Sequence, residues 1–145
     1  MKIYVASSWR NDHQPDVIVG LREVGHEVYD FRNPPSGGNG FHWSEIDPNW
    51  KTWTAEQYRE CLNHPLAAQG FSSDFAAMQW AEAFVGVMPF GRSASFEMGW
   101  AVGNDKRTIL LLSDGEPELM VKLFDFVCTG MGEVLLKLQE WEDDQ

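Results

Sequence analysis

Residues 83–103, which read AFVGVMPFGRSASFEMGWAVG, decide the fold of this chain. Residues 83–88 form an apolar run typical of a buried strand, whereas residues 94–103 have the composition of a helix. A turn containing Pro, Gly, Arg and Ser separates the two, and residues 107–112 (RTILLL) then predict another strand. Strand, helix and strand in this order predict a right-handed βαβ unit of a parallel sheet.

The same arrangement occurs a second time toward the N-terminus. Residues 2–6 (KIYVA) and 27–31 (EVYDF) are rich in β-forming residues, and residues 15–24 between them carry apolar side chains at helical spacing. Gly25 stands where a helix usually ends. Two βαβ units predict an α/β fold, specifically a flavodoxin-like or Rossmann-like three-layer sandwich with a parallel sheet of four or five strands.

The other segments predict helices and one long irregular connection. Helices are expected at residues 54–63, at 73–80 with Ser72 or Ser73 as the cap, at 116–127 and at 132–141. Residues 32–53 lack a regular pattern, and we interpret them as a partly mobile lid. The chain has seven Trp residues, which serve either as core packing or as flat walls around a planar ligand.

Composition and charge exclude several classes of partner. With 11 Lys and Arg against 22 Asp and Glu, the net charge of −11 opposes binding to nucleic acid polymers and to anionic membranes. Two cysteines outside any CxxC pair fit a reducing cytoplasm, so we expect a cytoplasmic location. Because the His residues lack metal-ligand spacing, we expect no metal, and we expect no cofactor.

Polar segments follow three predicted strands, at residues 7–11, 91–97 and 113–118. Ligands of parallel α/β folds bind at this carboxyl edge of the sheet. Glu97 is either an acid that complements the helix dipole or a carboxylate nucleophile or base. Asp74 is either a first-turn helix acid or a functional group. The first polar segment either forms a hydrogen-bonded turn or holds hydroxyls or a phosphate of a ligand.

The stretch FEMGWA at residues 96–101, followed by Lys106 at a strand entry, resembles a motif of the nucleoside 2-deoxyribosyltransferase superfamily, which includes the 2'-deoxynucleoside 5'-monophosphate N-glycosidases. The resemblance runs from IYVASSWR through SSDFAAMQWAEAF to the ELM segment, and so indicates one domain over residues 1–145. It implies an enzyme that cleaves or transfers the N-glycosidic bond of a 2'-deoxynucleoside or its 5'-monophosphate.

The resemblance also implies roles for individual residues. Glu97 corresponds to the nucleophile that forms a covalent bond to the sugar, and Asp74 to an acid that contacts the base or sugar. The substrate contacts that it implies, or that neighbour those positions, are Tyr4, Ser7, Ser8, Trp9, Arg10, Gly91, Arg92, Ser93, Ser95 and Glu118. The partner is then a small nucleoside or nucleotide, and we expect a homodimer or a higher homo-oligomer.

Two positions depart from the family pattern. The transferases often carry an Asp six residues before the nucleophile, where this chain has Gly91 followed by Arg92. Where the family places an Asn or Ser that reaches the sugar 5' end in a neighbouring subunit, this chain has Glu118, which favours a free 5'-hydroxyl. The aromatic segment at 41–58 has no match in the family pattern. The alternative functions are a glycohydrolase of NAD or another nucleotide and a non-catalytic nucleotide-binding module.

Overall fold

The computed structural model describes residues 1–145, and the chain divides into two compact units. The first unit consists of Met1–Asp30 and Trp80–Gln145, and the second consists of Phe31–Gln79. The strands are β1 (Lys2–Ala6), β2 (Glu27–Tyr29), β3 (Ala83–Val87), β4 (Arg107–Leu111) and β5 (Phe126–Cys128). The helices are α1 (Gln14–Glu23), α2 (Ala55–Cys61), α3 (Pro65–Trp80), α4 (Arg92–Gly103) and α5 (Met131–Asp143).

The first unit contains one five-stranded sheet, in which every neighbouring pair is parallel and the order is β2-β1-β3-β4-β5. This strand order is the flavodoxin-like one, with its reversal of direction between β1 and β3. The predicted fold class is therefore confirmed, and the sheet has the larger of the two predicted strand numbers. The positive φ of Gly25, 94°, agrees with its predicted place after α1.

Side chains of the sheet alternate between two faces. One face carries Ile3, Val5, Val85 and Ile109, which pack in one buried cluster with residues of α1 and α5. Tyr4, Phe84 and Leu110 stand at the alternate positions and are also buried, as are three residues of α4, Ala94, Met98 and Ala101. Each large apolar side chain buried in this way stabilises the fold by about 1.5–3 kcal/mol.

The prediction of a helix at residues 116–127 is wrong. A short 3-10 helix occupies Leu119–Leu123, and β5 follows it at the edge of the sheet. Thr108 and Asp125 join β4 to the start of β5, because the Asp125 carboxylate accepts hydrogen bonds from the Thr108 backbone N–H at 2.8 Å and from its hydroxyl at 3.1 Å. β5 forms because it supplies hydrogen-bond partners to the backbone of β4. A local helical pattern in the sequence does not reveal this requirement.

The predicted start of the helix at 73–80 is also wrong. Helix α3 begins at Pro65, a favourable first helical residue, and the ring of His64 accepts a hydrogen bond from the Leu66 N–H at 3.1 Å. Ser72 and Ser73 therefore lie in the helix interior and do not cap it. Gly70 is also interior, and it admits Phe41, whose Cβ lies 2.8 Å from where a glycine Cβ would be built.

The second unit is organised around an aromatic cluster rather than a sheet. Trp43 lies 4.8 Å from Phe41, 5.7 Å from Trp53 and 5.8 Å from Tyr58, measured between ring centroids. The connection contains two short 3-10 helices, Trp43–Glu45 and Trp50–Thr52. Trp43 and Trp53 thus pack against other rings of their own unit and are half-buried there. No helix in the chain has the length and hydrophobicity that would let it cross a membrane.

Candidate active site

Two of the three polar segments meet at the carboxyl edge of the sheet. The Ser7 hydroxyl and the Asn11 side-chain amide both donate to the Val87 carbonyl at 2.9 Å, and both residues are buried. A Cβ built on Gly91 would lie 3.6 Å from the Cβ of Ser8. The loop after β1 and the loop after β3 are therefore in contact, as the sequence predicted for strands that end at the same edge.

Glu97 lies on α4, the helix that starts from the second of these loops. Gly91 is the N-cap residue with an extended backbone, and the first turn of the helix contains no acid. Glu97 is thus in the second turn, where the effect of the helix dipole has largely faded. Its side chain is half-buried. The dipole interpretation of Glu97 is weaker than the sequence alone indicated.

The hydroxyl of Tyr4 donates a hydrogen bond to the carboxylate of Glu97. Tyr4 belongs to β1 and only 1% of its surface is exposed, so this hydroxyl comes from a side chain buried on one face of the sheet. A hydrogen bond to the charged form of a carboxyl group stabilises that form and fixes its orientation. Tyr4 and Glu97 are 93 positions apart in sequence, and the fold brings both predicted residues together.

The other predicted contacts in the loop after β1 are of two kinds: residues whose hydroxyls form hydrogen bonds within the protein, and residues whose side chains are exposed. The hydroxyl of Ser7 is used in the contact to Val87, and the hydroxyl of Ser8 accepts a hydrogen bond from the Arg10 N–H at 3.1 Å. Both hydroxyls thus stabilise the loop. Trp9 is 42% exposed and Arg10 is also exposed. Trp9 and Arg10 are thus the predicted contacts of this loop whose side chains are exposed.

The start of α4 presents several exposed polar side chains. Arg92, Ser93 and Ser95 are exposed, and the Ser95 hydroxyl lies 3.5 Å from the Gly91 carbonyl. Neither Arg92 nor Arg10 forms a salt bridge within the chain, although acids outnumber bases two to one. Arg10 lies two residues after Ser8 and Arg92 directly follows Gly91, the residues at which the two segments touch, and neither guanidinium group has an acidic partner.

Phe90 is a residue at this edge that sequence reasoning missed. Its ring lies over Gly86 of β3, so that a Cβ at position 86 would be 2.6 Å from the end of the ring. Gly86 pairs with Ala6 and stands on the sheet face that carries Tyr4. The Phe90 ring fits here because residue 86 has no side chain. In the sequence, the glycine at position 86 is the only indication of this contact.

Other predicted positions lie apart from this pair. Glu118 precedes the 3-10 helix before β5, and its exposed carboxylate forms no hydrogen bond or ion pair within the chain. Lys106, part of the family motif, donates to the Ala81 carbonyl at 2.7 Å, which ties the start of β4 to the segment before β3. Nowhere do three His, Cys, Asp or Glu side chains come together as a metal site.

Asp74 belongs to the second unit. It stands near the middle of α3, which starts at Pro65, and its side chain is half-buried. The interpretation of Asp74 as a first-turn helix acid is therefore wrong. The functional interpretation of Asp74 stays a prediction.

A cleft of about 610 Å³ at the same edge of the sheet is lined by residues other than Tyr4 and Glu97. It is lined by the ends of β3 and β4 and the starts of α1 and α5, with Asp16, Asp114 and His13 among its polar side chains. None of the residues predicted as catalytic or substrate-binding lines it. The site built on Tyr4 and Glu97 is thus the one to which the sequence and the hydrogen bonds both point.

No protein-family model and no curated protein matches the chain. Among solved structures, it is similar to the 2-deoxyribosyltransferase of the psychrotolerant bacterium Bacillus psychrosaccharolyticus, with a TM-score of 0.60 and 20% identity over 92% of this chain and 90% of that one. It is also similar to the CMP N-glycosidase BcmB of Clostridium botulinum, with a TM-score of 0.52 and 20% identity over 95% of this chain and 99% of that one. These likenesses confirm the α/β fold that the resemblance implies.

Proposed function

We propose that this protein is an enzyme that cleaves or transfers the N-glycosidic bond of a 2'-deoxynucleoside or its 5'-monophosphate, with Glu97 as the nucleophile. The observation that carries the proposal is the hydrogen bond from the buried Tyr4 hydroxyl to the half-buried Glu97 carboxylate at the carboxyl edge of the sheet. A carboxylate oriented in this way is suited to attack on, or stabilisation of, an anomeric carbon.

The reaction has two steps. In the first, a Glu97 oxygen bonds to the anomeric carbon while the bond from that carbon to the base nitrogen breaks, and the electron pair leaves with the base. In the second, water or an incoming base attacks the same carbon and gives its proton to the acid that protonated the first base, while the bond to Glu97 breaks and the carboxylate is regenerated. Tyr4 donates to the carboxylate and so fixes the direction in which its other lone pairs point.

The leaving base needs a proton or hydrogen bonds, and we assign this role to Asp74. The family resemblance and the mid-helix position of Asp74 support the assignment. An Asp74→Asn variant should then lose more rate with poor leaving groups than with activated ones, because activated bases depart without acid assistance. Equal losses with both kinds of substrate would argue against proton donation.

The similar structures support N-glycosidic chemistry in general terms. They are a 2-deoxyribosyltransferase and a CMP N-glycosidase, and this chain shares their fold at 20% identity. For the 5' end, Glu118 acting from a neighbouring copy would accept a hydrogen bond from a free hydroxyl. The lack of an acidic partner for Arg10 and Arg92 favours a 5'-monophosphate as the second candidate. We therefore treat the two forms as competing substrates.

The test is release of free base from a matched panel. Deoxynucleosides, ribonucleosides, their 5'-monophosphates and NAD would each be incubated with the protein, with and without an added acceptor base. We expect base release from a nucleoside or monophosphate and loss of that release in Glu97→Gln. Release from NAD alone would support the glycohydrolase alternative, and binding without release would support a non-catalytic module.

A further inference from the structure

A series of four aromatic rings runs from β2 to α4 beside Glu97. Tyr29, Tyr4 and Phe84 lie directly opposite one another on β2, β1 and β3 in the register of the sheet. The ring centroids of Tyr4 and Tyr29 are 5.4 Å apart with 16° between the planes, and those of Tyr4 and Phe84 are 5.0 Å apart with 28°. Trp100 continues the series at 6.1 Å from Phe84.

The ring of Tyr4 has a neighbour on each side. Tyr29 is 5% exposed and Phe84 is fully buried, so neither of them has room to yield. Stacked pairs of this kind stabilise each other beyond the effect of the area that they bury. A rotation of the Tyr4 ring therefore requires displacement of another ring, and the position of its hydroxyl is set by the strands on either side.

The same series also reaches the helix that carries Glu97. Trp100 follows Glu97 by three positions on α4, which places both side chains on neighbouring parts of one helix surface. The contact between Phe84 and Trp100 thus bears on the placement of α4 over the sheet. Both partners of the hydrogen bond between Tyr4 and Glu97 are consequently positioned by connected aromatic rings.

A buried hydrogen bond fixes the end of β2 that carries Tyr29. Asp30, the next residue, accepts a hydrogen bond from the side-chain amide of Gln14 at 2.9 Å, and both residues are buried. Gln14 is the first residue of α1. This buried polar pair ties the end of β2 to the start of α1, so Tyr29 has little freedom along the strand.

We propose that Tyr29 is a positioning residue, which acts through Tyr4 by holding the Tyr4 hydroxyl against the Glu97 carboxylate. The proposal rests on the proposed function for the identity of the reaction that Glu97 carries out. Its physical basis is the stacked ring of Tyr29. A phenyl ring at position 29 should therefore serve, whereas an aliphatic side chain should not.

The kinetic test compares Tyr29→Leu with Tyr29→Phe. We expect Tyr29→Leu to lower kcat by about threefold to tenfold with KM changed by less than about twofold, because orientation and not substrate binding is lost. Tyr29→Phe should restore kcat to within about twofold of the wild-type value. In a Tyr4→Phe background, which keeps the ring and removes the hydroxyl, Tyr29→Leu should have an effect of less than about twofold.

A measurement without substrate separates this proposal from the proposed function. In NMR spectra of isotope-labelled tyrosine, the Tyr4 signal should shift in Glu97→Gln and in Tyr29→Leu, and should stay near its wild-type position in Tyr29→Phe. Ile109→Ala is the control for general destabilisation, because Ile109 is buried on the other face of the sheet. It should leave both kcat and the Tyr4 signal unchanged in the folded protein.

Two results would overturn the proposal. One is an unchanged Tyr4 signal in folded Tyr29→Leu, and the other is an equal loss of kcat from Tyr29→Leu with and without the Tyr4 hydroxyl. If the wild-type protein releases no base while the Tyr4 signal responds as expected, the proposed function fails and the positioning of Tyr4 by Tyr29 stands.

Discussion

The stacked rings beside Glu97 in the first unit and the cluster around Trp43 in the second unit have different ring geometries. In the first unit, Tyr29, Tyr4 and Phe84 are stacked with 16° and 28° between successive rings. In the second unit, Phe41 and Trp53 meet Trp43 edge-on, at 84° and 79°. Adjacent strands lie about 4.8 Å apart, so rings in register on a sheet stack at a similar spacing. A unit without a sheet has no such constraint.

The consequence is a division of roles. Stacked rings on a sheet hold one another in a fixed direction, and the first unit uses this to direct the Tyr4 hydroxyl to Glu97. Edge-to-face rings contact one another from several directions, and in the second unit they join the connection around Trp43 to α2. A large effect on chemistry is therefore expected from changes in the first unit, and a large effect on local stability from changes in the second.

The largest expected effect is that of Glu97→Gln in the first unit. We expect base release to fall by about three orders of magnitude or more, because a covalent nucleophile is lost. The amide oxygen still accepts the Tyr4 hydroxyl, so the free energy of unfolding should change by about 1 kcal/mol or less. Rate assays beside urea denaturation check both values, and near-normal turnover in folded protein would exclude Glu97 as the nucleophile.

Trp43→Ala should have the next largest effect, and it should act on stability in the second unit. Trp43 is half-buried at the centre of its cluster, so we expect a loss of about 2 kcal/mol, below the range for fully buried Trp. Hydrogen exchange should show faster exchange of backbone amides at residues 41–61. Trp50→Ala is the matched control, because Trp50 contacts Lys51 and lies outside the cluster. Equal effects of the two variants would contradict a core centred on Trp43.

The smallest expected effect concerns Asp47 and pH. Its carboxylate accepts hydrogen bonds from the Asn49 N–H at 2.9 Å and from the Trp53 indole at 2.7 Å, and these hold the pKa of Asp47 below its ordinary value of 3.8. A lowered pKa in the folded state means that the stabilisation is present above pH 3.8 and is lost as pH falls through the lower folded value.

Asp47→Asn should therefore be slightly less stable than the wild type at neutral pH. The difference between the two proteins should vanish at acidic pH, where the wild-type carboxyl group is protonated. Urea midpoints of both proteins across this pH range measure the difference. A difference that does not depend on pH would show that the charge of Asp47 contributes nothing to the contact with Trp53.

Sequence patterns were sufficient to predict a helix or strand where the element is long and its pattern is local. The strands around residues 2–6, 83–88 and 107–112 and the helix that carries Glu97 are found within one or two residues of their predicted bounds. Their apolar periodicity follows directly from burial on a sheet. Glu97 could be selected because a parallel sheet directs its loops to one edge, and Tyr4 because of the family resemblance.

Patterns failed where structure depends on a partner far away in sequence. Residues 126–128 form a strand only because β4 offers an unpaired edge, so the preceding LMVKLF segment gave a misleading helical signal. The start of α3 at Pro65 was missed as well. Gly70 in this helix makes room for Phe41, which is 29 positions away in sequence.

Local patterns were enough to identify the βαβ organisation, the edge of the sheet where the polar loops gather and the acid that stands there. Three contacts follow from the folded chain instead: Tyr4 bonds to Glu97, Tyr29 and Phe84 flank Tyr4, and Trp43 packs on Trp53. Periodicity reports burial, which is local. Register and ring stacking are relations between strands, and they exist only once the chain has closed on itself.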